Sequence, residues 1–303
     1  MEKQEQREKE AEEAINAINK KTGRNMPQAI ATAVVLIAII LACLLISVDL
    51  FVYLVVLFMV LALWELRVDF ATAGLHIPVV ALWACSAVTL LATYYSKHHI
   101  VAMTVCVLAS LLLVAIAASA KVTFGSRLSL AVADKLSHTD AGARLESSFN
   151  HEQGEVRHSR LSHVAVSMFT VLYIPLLASC LIMPLTFNGH PVAHAIMLVF
   201  MPALSDTGGL FAGAWLGKHK LSPRISPKKS WEGLAGSILF AMAGSFVVMF
   251  CTYEPSVWTV RWWVPIVAGF MIGIAGTFAD LCASILKRDI GIKDMGHLLK
   301  GHG

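Results

Sequence analysis

Apolar residues occur in long continuous runs that are separated by short polar stretches. Most of the runs approach the roughly 20 residues that a helix needs to cross the hydrocarbon core of a bilayer. The pattern therefore predicts an all-α protein, a polytopic transmembrane helical bundle with about eight spans. Since the second run is short and the sixth is long and contains Asp206, seven or nine spans stay open. The eight predicted spans cover residues 29–48, 50–64, 77–95, 100–120, 164–183, 191–217, 233–251 and 262–279.

Lysine and arginine are distributed unequally between alternate connections. With the N-terminus inside, 22 of the 24 Lys and Arg residues fall in inner segments, and only Lys97 and Arg261 fall in outer loops. Cytoplasmic segments of membrane proteins carry such an excess of positive charge, so both termini are predicted to be cytoplasmic. The predicted organisation is a charged cytoplasmic segment at 1–28, helices over 29–120, a cytoplasmic loop at 121–163, and further helices with polar motifs on the cytoplasmic face over 164–303.

The composition argues against several classes of protein. Hydrophobic residues make up 57% of the 303 positions and charged residues only 15%, whereas an average soluble domain is roughly a quarter charged. The six cysteines are scattered without a Cys-x-x-Cys pair, which argues against a secreted disulfide scaffold. The net charge of +4 is modest, and nucleic acid is not an expected partner because its binding needs a concentrated basic face.

A carboxylate and two bases share one helical face where the last span ends. Asp280, Ser284, Lys287 and Arg288 are spaced at i, i+4, i+7 and i+8. This combination suits Mg²⁺ bound to phosphates, because the acid holds the ion and the bases hold the remaining oxygens. An equally good explanation is a pair of bases that extend to the membrane surface beside an acidic partner.

A second basic motif precedes another span. The segment 226–230 reads Ser-Pro-Lys-Lys-Ser, and a helix N-terminus that follows a lysine pair is a fair anion site. A lysine pair alone is more often an orienting positive-inside loop. Asp206 favours the anion site over the orienting loop, because an acid within an apolar run is costly and usually functional.

Glycines recur every fourth residue after Asp206. Gly209, Gly213 and Gly217 line one helix face without side chains. This spacing indicates close helix packing in preference to substrate contact.

Together these motifs resemble the bacterial phosphatidate cytidylyltransferase (CDP-diacylglycerol synthase) family. The resemblance covers about the last third of the chain, and its elements keep the order and spacing of the family. They are Asp206-Thr-Gly, Ser226-Pro-Lys-Lys-Ser-Trp-Glu-Gly233, Ser284-Ile-Leu-Lys-Arg288, Lys293-Asp294-Met-Gly296 and Gly301-His-Gly303.

The resemblance implies that CTP and phosphatidic acid are converted to CDP-diacylglycerol and pyrophosphate with Mg²⁺. The expected site is on the cytoplasmic face of a bacterial plasma membrane, where phosphatidic acid and other membrane lipid are reached from the inner leaflet. A phosphomonoester has a second pKa of about 6, so it needs no general base near neutrality. A homodimer is left open as an assembly.

Residue roles follow from the match to the family motifs. Asp280 is the foremost expected metal ligand, followed by Asp206 and Asp294. The expected phosphate contacts are Lys228, Lys229, Lys287, Arg288 and Lys293. Ser226 and Ser230 are expected to donate hydrogen bonds to phosphate, and Glu232 to orient a lysine or a metal-bound water. Ser284 and His302 complete the expected substrate-binding set.

The sequence also departs from the family pattern. Ala279 and Ala283 stand where the family usually has Gly and Glu, and the chain stops at Gly303 where the family continues with Gly-x-x-Asp-Arg-x-Asp. One alternative is therefore a truncated, catalytically impaired paralogue. Another is a related lipid nucleotidyl- or phosphotransferase, such as a CDP-archaeol synthase or a polyprenol kinase. A transporter is motivated by Asp206 in a glycine-broken span, but the polar motifs cluster on one side of the membrane.

Overall fold

The computed structural model describes residues 26–119 and 160–292, and these residues form a bundle of long apolar helices. The first described part contains α1 (Met26–Ile46), α2 (Val48–Thr72), α3 (Val79–Tyr95) and α4 (His99–Ser119). The second begins with a continuous helical rod made of α5 (Arg160–Val171), a π turn (Leu172–Leu176), α6 (Leu177–Ile182) and a 3-10 turn (Met183–Thr186). It continues with α7 (Pro191–Leu216), β1 (Lys220–Ser222), β2 (Ser226–Ser230), α8 (Trp231–Thr252), α9 (Pro255–Arg261) and α10 (Val264–Ile290).

The prediction of an all-α polytopic membrane protein is confirmed. Within the described residues, six helical segments are long and apolar enough to cross a membrane: Val48–Thr72, His99–Ser119, Leu161–Thr186, Pro191–Leu216, Trp231–Thr252 and Val264–Ile290. Two shorter apolar helices, Ala31–Ile46 and Val79–Tyr95, coincide with the other two predicted spans. The span count of eight and the side on which each terminus lies stay predictions.

Two helices in the structure extend beyond the predicted boundaries. The second span was expected to end at residue 64, but α2 continues to Thr72. In the added turns the Arg67 guanidinium lies 5.2 Å from the centre of the Trp64 ring, a favourable cation–π distance, and Asp69 is buried. The loop expected at 121–163 ends earlier, since α5 begins at Arg160. The rest of that loop, at 121–159, and most of the segment at 1–28 lie outside the described residues.

The main hydrophobic core lies in the N-terminal half of the bundle. Phe51, Leu63 and Phe70 of α2 are buried at its centre, and residues from α3, α4 and the α5–α6 rod pack around them. Leu286 and Ile290 of α10 pack against the same core. The last helix therefore connects this core to the C-terminal half, where the polar motifs lie.

Helices α7, α8 and α10 pack extensively against one another, through glycines. A Cβ atom on Gly208 of α7 would lie 2.6 Å from the Gly236 carbonyl oxygen of α8. A Cβ atom on Gly217 would lie 2.9 Å from Ser230 Oγ, and one on Gly213 would lie 3.4 Å from it. The absence of Cβ atoms lets α7 and the start of α8 approach closely here, so the predicted role of the glycine repeat in close helix packing is confirmed.

Alanine at Gly273 of α10 is expected to destabilise the bundle, whereas alanine at Gly276 is not. A Cβ atom on Gly273 would lie 2.7 Å from the Ile238 Cα atom, which cannot move aside like a flexible side chain. On Gly276 the nearest atom would be Ser205 Oγ at 4.0 Å, an ordinary contact. Overpacking of this kind costs about 1–3 kcal/mol. Thermal melting of both purified variants in detergent checks the difference, and equal melting temperatures would contradict it.

Candidate active site

A β-hairpin connects α7 to α8 at the end of the bundle that carries the basic motif. Strands β1 and β2 are antiparallel, with Lys220 opposite Ser230 and Ser222 opposite Ser226. At the open end, the Trp231 N–H donates to the His219 carbonyl oxygen over 3.0 Å. The sequence predicted only a stiff basic loop here, so the paired strands are a new finding. Ser226 is held in the pairing, and the side chain of Lys228 lies outside the description.

Ser230 starts α8. Its backbone is extended, and its Oγ accepts a hydrogen bond from the Gly233 N–H over 3.1 Å, as an N-cap serine does. Ser230 is only 4% exposed. The Ser230 Oγ only accepts in this cap, so its O–H can still donate and the expected hydrogen bond to phosphate stays a prediction. The cap fixes where the strand ends and the helix begins.

Lys229 joins the hairpin to α10. Its Nζ lies 2.7 Å from Asp280 Oδ2 and donates to the Thr277 carbonyl oxygen over 3.2 Å. The Lys229 side chain is 20% exposed, whereas that of Asp280 is 62% exposed. The ammonium group is therefore held in place while the carboxylate remains accessible.

Asp206 of α7 belongs to the same group of charges. It is close enough to Asp280 and Lys229 to interact electrostatically with both. Neighbouring Ser205 faces Gly276 across the α7–α10 contact, which places Asp206 about level with the last turns before Asp280. Three separate elements thus bring two acids and one base together, and we call Asp206, Lys229 and Asp280 the charged cluster.

Helix α10 continues past the cluster, as the sequence predicted. It ends at Ile290, where Gly291 adopts a left-handed conformation with φ 80°. The Ser284 Oγ donates to the Asp280 carbonyl oxygen over 2.8 Å. Arg288 Nη1 donates to the Arg224 carbonyl oxygen in the hairpin turn. In this structure Arg288 therefore holds the hairpin, and Lys287 lies half-buried one position before it.

Glu232 has a different partner from the one expected. Its Oε1 lies 2.7 Å from His219 Nδ1, and both carboxylate oxygens lie 3.3 Å from the His219 backbone N–H. Glu232 was expected to orient a lysine or a metal-bound water, and that role stays a prediction. In the structure it ties the segment after α7 to the first turn of α8.

Some of the groups that define the site were not identified from the sequence. His219 carried no recognisable spacing to a partner, and the Thr277 and Arg224 contacts use backbone carbonyls, which every residue has. A contact to a backbone carbonyl cannot be recognised from the sequence, because it does not depend on the type of residue. The predicted residues Lys293, Asp294 and His302 lie outside the described part of the chain.

The charged cluster suits a magnesium ion that is shared with phosphates. Among the described residues, no group of three or more His, Cys, Asp or Glu side chains is arranged to hold a metal. Mg²⁺ is usually held by one or two carboxylates, while water and substrate phosphates supply the other oxygens. Asp280 and Asp206 are candidates for this role because the two carboxylates interact electrostatically and the Asp280 carboxylate is accessible.

Comparison with known proteins places the chain in a family. The chain is 36% identical over 143 residues to the phosphatidate cytidylyltransferase of Mycobacterium leprae, an alignment that covers 47% of this chain and 44% of that protein. It is 32% identical over 139 residues to the phosphatidate cytidylyltransferase of Haemophilus influenzae, which covers 43% and 46% respectively. Each alignment spans less than half the length of the curated relative. The model of the cytidylyltransferase family matches residues 27–303, and the chain therefore belongs to the cytidylyltransferase family.

Proposed function

We propose that this chain transfers the cytidylyl group of CTP to phosphatidic acid, giving CDP-diacylglycerol and pyrophosphate. The observation that carries the proposal is the charged cluster, in which Lys229 and Asp280 form an ion pair beside Asp206. The similarity to phosphatidate cytidylyltransferases supports the choice of lipid.

The reaction needs charge compensation more than proton transfer. A phosphate oxygen of phosphatidic acid attacks the α-phosphorus of CTP, a new P–O bond forms, and the bond to the β-phosphate oxygen breaks with release of pyrophosphate. The attacking phosphomonoester is largely ionised near neutral pH. The enzyme must therefore hold two anions together and stabilise the charge that moves to the leaving group.

Lys229 is suited to hold phosphate oxygens at this site. Its ammonium group is already fixed by Asp280 and the Thr277 carbonyl, so little side-chain freedom is lost when a phosphate binds. Arg288 and Lys287 extend the positive charge along the next turns of α10. A nucleotide that binds between the hairpin and α10 would meet bases from both elements.

Asp280 and Asp206 would hold magnesium at the same place. The bound ion would supply positive charge to the phosphate oxygens of CTP. Asp280 is the more accessible ligand, and Asp206 contributes a second negative charge from α7. Asp294, which lies outside the described residues, is a third proposed ligand.

The proposed location is the cytoplasmic face of a bacterial plasma membrane. Helices α7, α8 and α10 are all long and apolar enough to span a bilayer, and the cluster lies towards one end of them. The excess of Lys and Arg in alternate connections supports assigning that end to the cytoplasm. CTP would arrive from water and phosphatidic acid from the inner leaflet.

The test is turnover of phosphatidic acid with CTP and Mg²⁺ in detergent micelles. CTP labelled in the cytosine ring or in the γ-phosphate is supplied in parallel reactions. We expect cytosine label in the lipid extract and γ-label in released pyrophosphate. Label from the γ-phosphate in the lipid would instead identify a lipid kinase, and no labelled lipid from a folded protein would overturn the proposed activity.

A further inference from the structure

The contact between His219 and Glu232 has a geometry that a chance surface ion pair does not have. Three donor–acceptor distances converge on one carboxylate: 2.7 Å from His219 Nδ1, and 3.3 Å from the His219 backbone N–H to each oxygen. The His219 side chain is 78% exposed, so packing does not hold the ring in this position. Glu232, at 24% exposed, is the fixed partner, because it lies in the first turn of α8.

The pair closes the base of the hairpin. The carbonyl oxygen of His219 accepts from the Trp231 N–H, so the same residue is bound to α8 through its backbone on both sides and through its ring. His219 follows α7, which carries Asp206, and Glu232 is three residues from Lys229. The pair therefore ties the segment after α7, the helix that carries one acid of the cluster, to the first turn of α8, which directly follows the strand that carries the base.

We propose that His219 and Glu232 form a positioning pair, which keeps the hairpin docked so that Lys229 reaches Asp280 before CTP binds. Neither residue touches the charged cluster in the structure, so the pair acts through the hairpin and not on substrate. This inference rests on the proposed cytidylyl transfer for its effect on kinetics, but its effect on the hairpin itself is independent of any activity.

The first test is amide hydrogen exchange of the full chain in detergent. In His219→Ala, amides in the hairpin segment 217–230 should exchange about tenfold faster, because the hydrogen bond from the ring to the Glu232 carboxylate is lost and local opening becomes easier. Peptides from α10 should be unchanged. His219→Asn should restore slow exchange, since its amide can still donate to Glu232. His98→Ala, which removes an exposed histidine near the opposite ends of the helices, is the matched control.

The second test separates positioning from general stability. If the undocked hairpin only lowers the population that can bind nucleotide, the KM for CTP should rise about tenfold in His219→Ala while kcat changes little. His219→Asn should recover most of that loss. Unchanged hairpin exchange in His219→Ala would overturn the proposal, and so would equal acceleration in hairpin and α10 peptides or a fall in kcat at constant KM. A wild-type chain without transferase activity would defeat the proposed function alone, because the exchange result stands by itself.

Discussion

Replacement of Asp280 by asparagine is expected to lower the rate of CDP-diacylglycerol formation by about 100- to 1000-fold, the effect of losing a central electrostatic contact in a catalytic site. Asparagine has nearly the same shape, but it offers no negative charge to Lys229 or to a magnesium ion. The measurement is kcat with phosphatidic acid, labelled CTP and saturating Mg²⁺. Because the Asp280 side chain is 62% exposed, the variant should still fold.

Asp289→Asn is the matched control for Asp280→Asn. Asp289 lies nine residues later on α10, which at about 100° per residue places it on the opposite face of the helix. The Asp289→Asn variant removes the same single negative charge from the same helix but leaves the charged cluster unchanged. We expect wild-type turnover and a wild-type melting temperature. Full activity in Asp280→Asn would exclude that residue as the central acid of the site.

The fold was largely predictable because the membrane imposes a simple requirement on the sequence. A spanning segment must satisfy its own backbone hydrogen bonds and remain apolar, so long runs such as 100–120 predict helices directly. The prediction failed where polar residues are accommodated inside a helix. The second predicted span stopped at residue 64, before Glu65, Arg67 and Asp69, yet α2 continues through all three, and the Arg67 guanidinium lies over the Trp64 ring.

The hairpin was missed for a different reason. Its strands are three and five residues long, and β2 contains Pro227 and two lysines, so neither strand has an alternating apolar pattern. Pairing is fixed instead by what lies at the two ends of the hairpin. Glu232 holds the base through His219, and Arg288 holds the turn through a carbonyl oxygen.

The residues of the charged cluster could be identified from the sequence, but the contacts between them could not. Asp206, Lys229 and Asp280 were each identified as candidates, since charge at the membrane is costly unless it is used. Sequence spacing cannot show that residues 23 and 51 positions apart meet. Ser230 did carry a readable signal, because a serine directly before a helix is a common N-cap. The resemblance to the family motif added an expected contact between Ser230 and phosphate, which stays a prediction.

Replacement of Lys229 by methionine is expected to separate nucleotide binding from metal binding. Methionine keeps much of the apolar stem but removes the ammonium group, so the KM for CTP should rise about 10- to 100-fold, the typical effect of losing hydrogen bonds to a charged group. The Mg²⁺ concentration that gives half-maximal activity should fall, whereas the KM for CTP rises. Without the cation beside Asp280, the two carboxylates attract a divalent ion more strongly, and half-maximal activity should need less Mg²⁺.

Lys220→Met supplies the control for Lys229→Met, because Lys220 is exposed on β1 of the same hairpin. The Lys220→Met variant loses the same single positive charge but keeps the ion pair between Lys229 and Asp280. It should leave both the KM for CTP and the Mg²⁺ requirement near wild type. Parallel titrations of CTP and Mg²⁺ measure both quantities for the two variants. Equal effects in the two variants would mean that only the net positive charge of the hairpin matters. Opposite shifts confined to Lys229→Met would show that one ammonium group both binds nucleotide and limits the affinity of the acids for the metal.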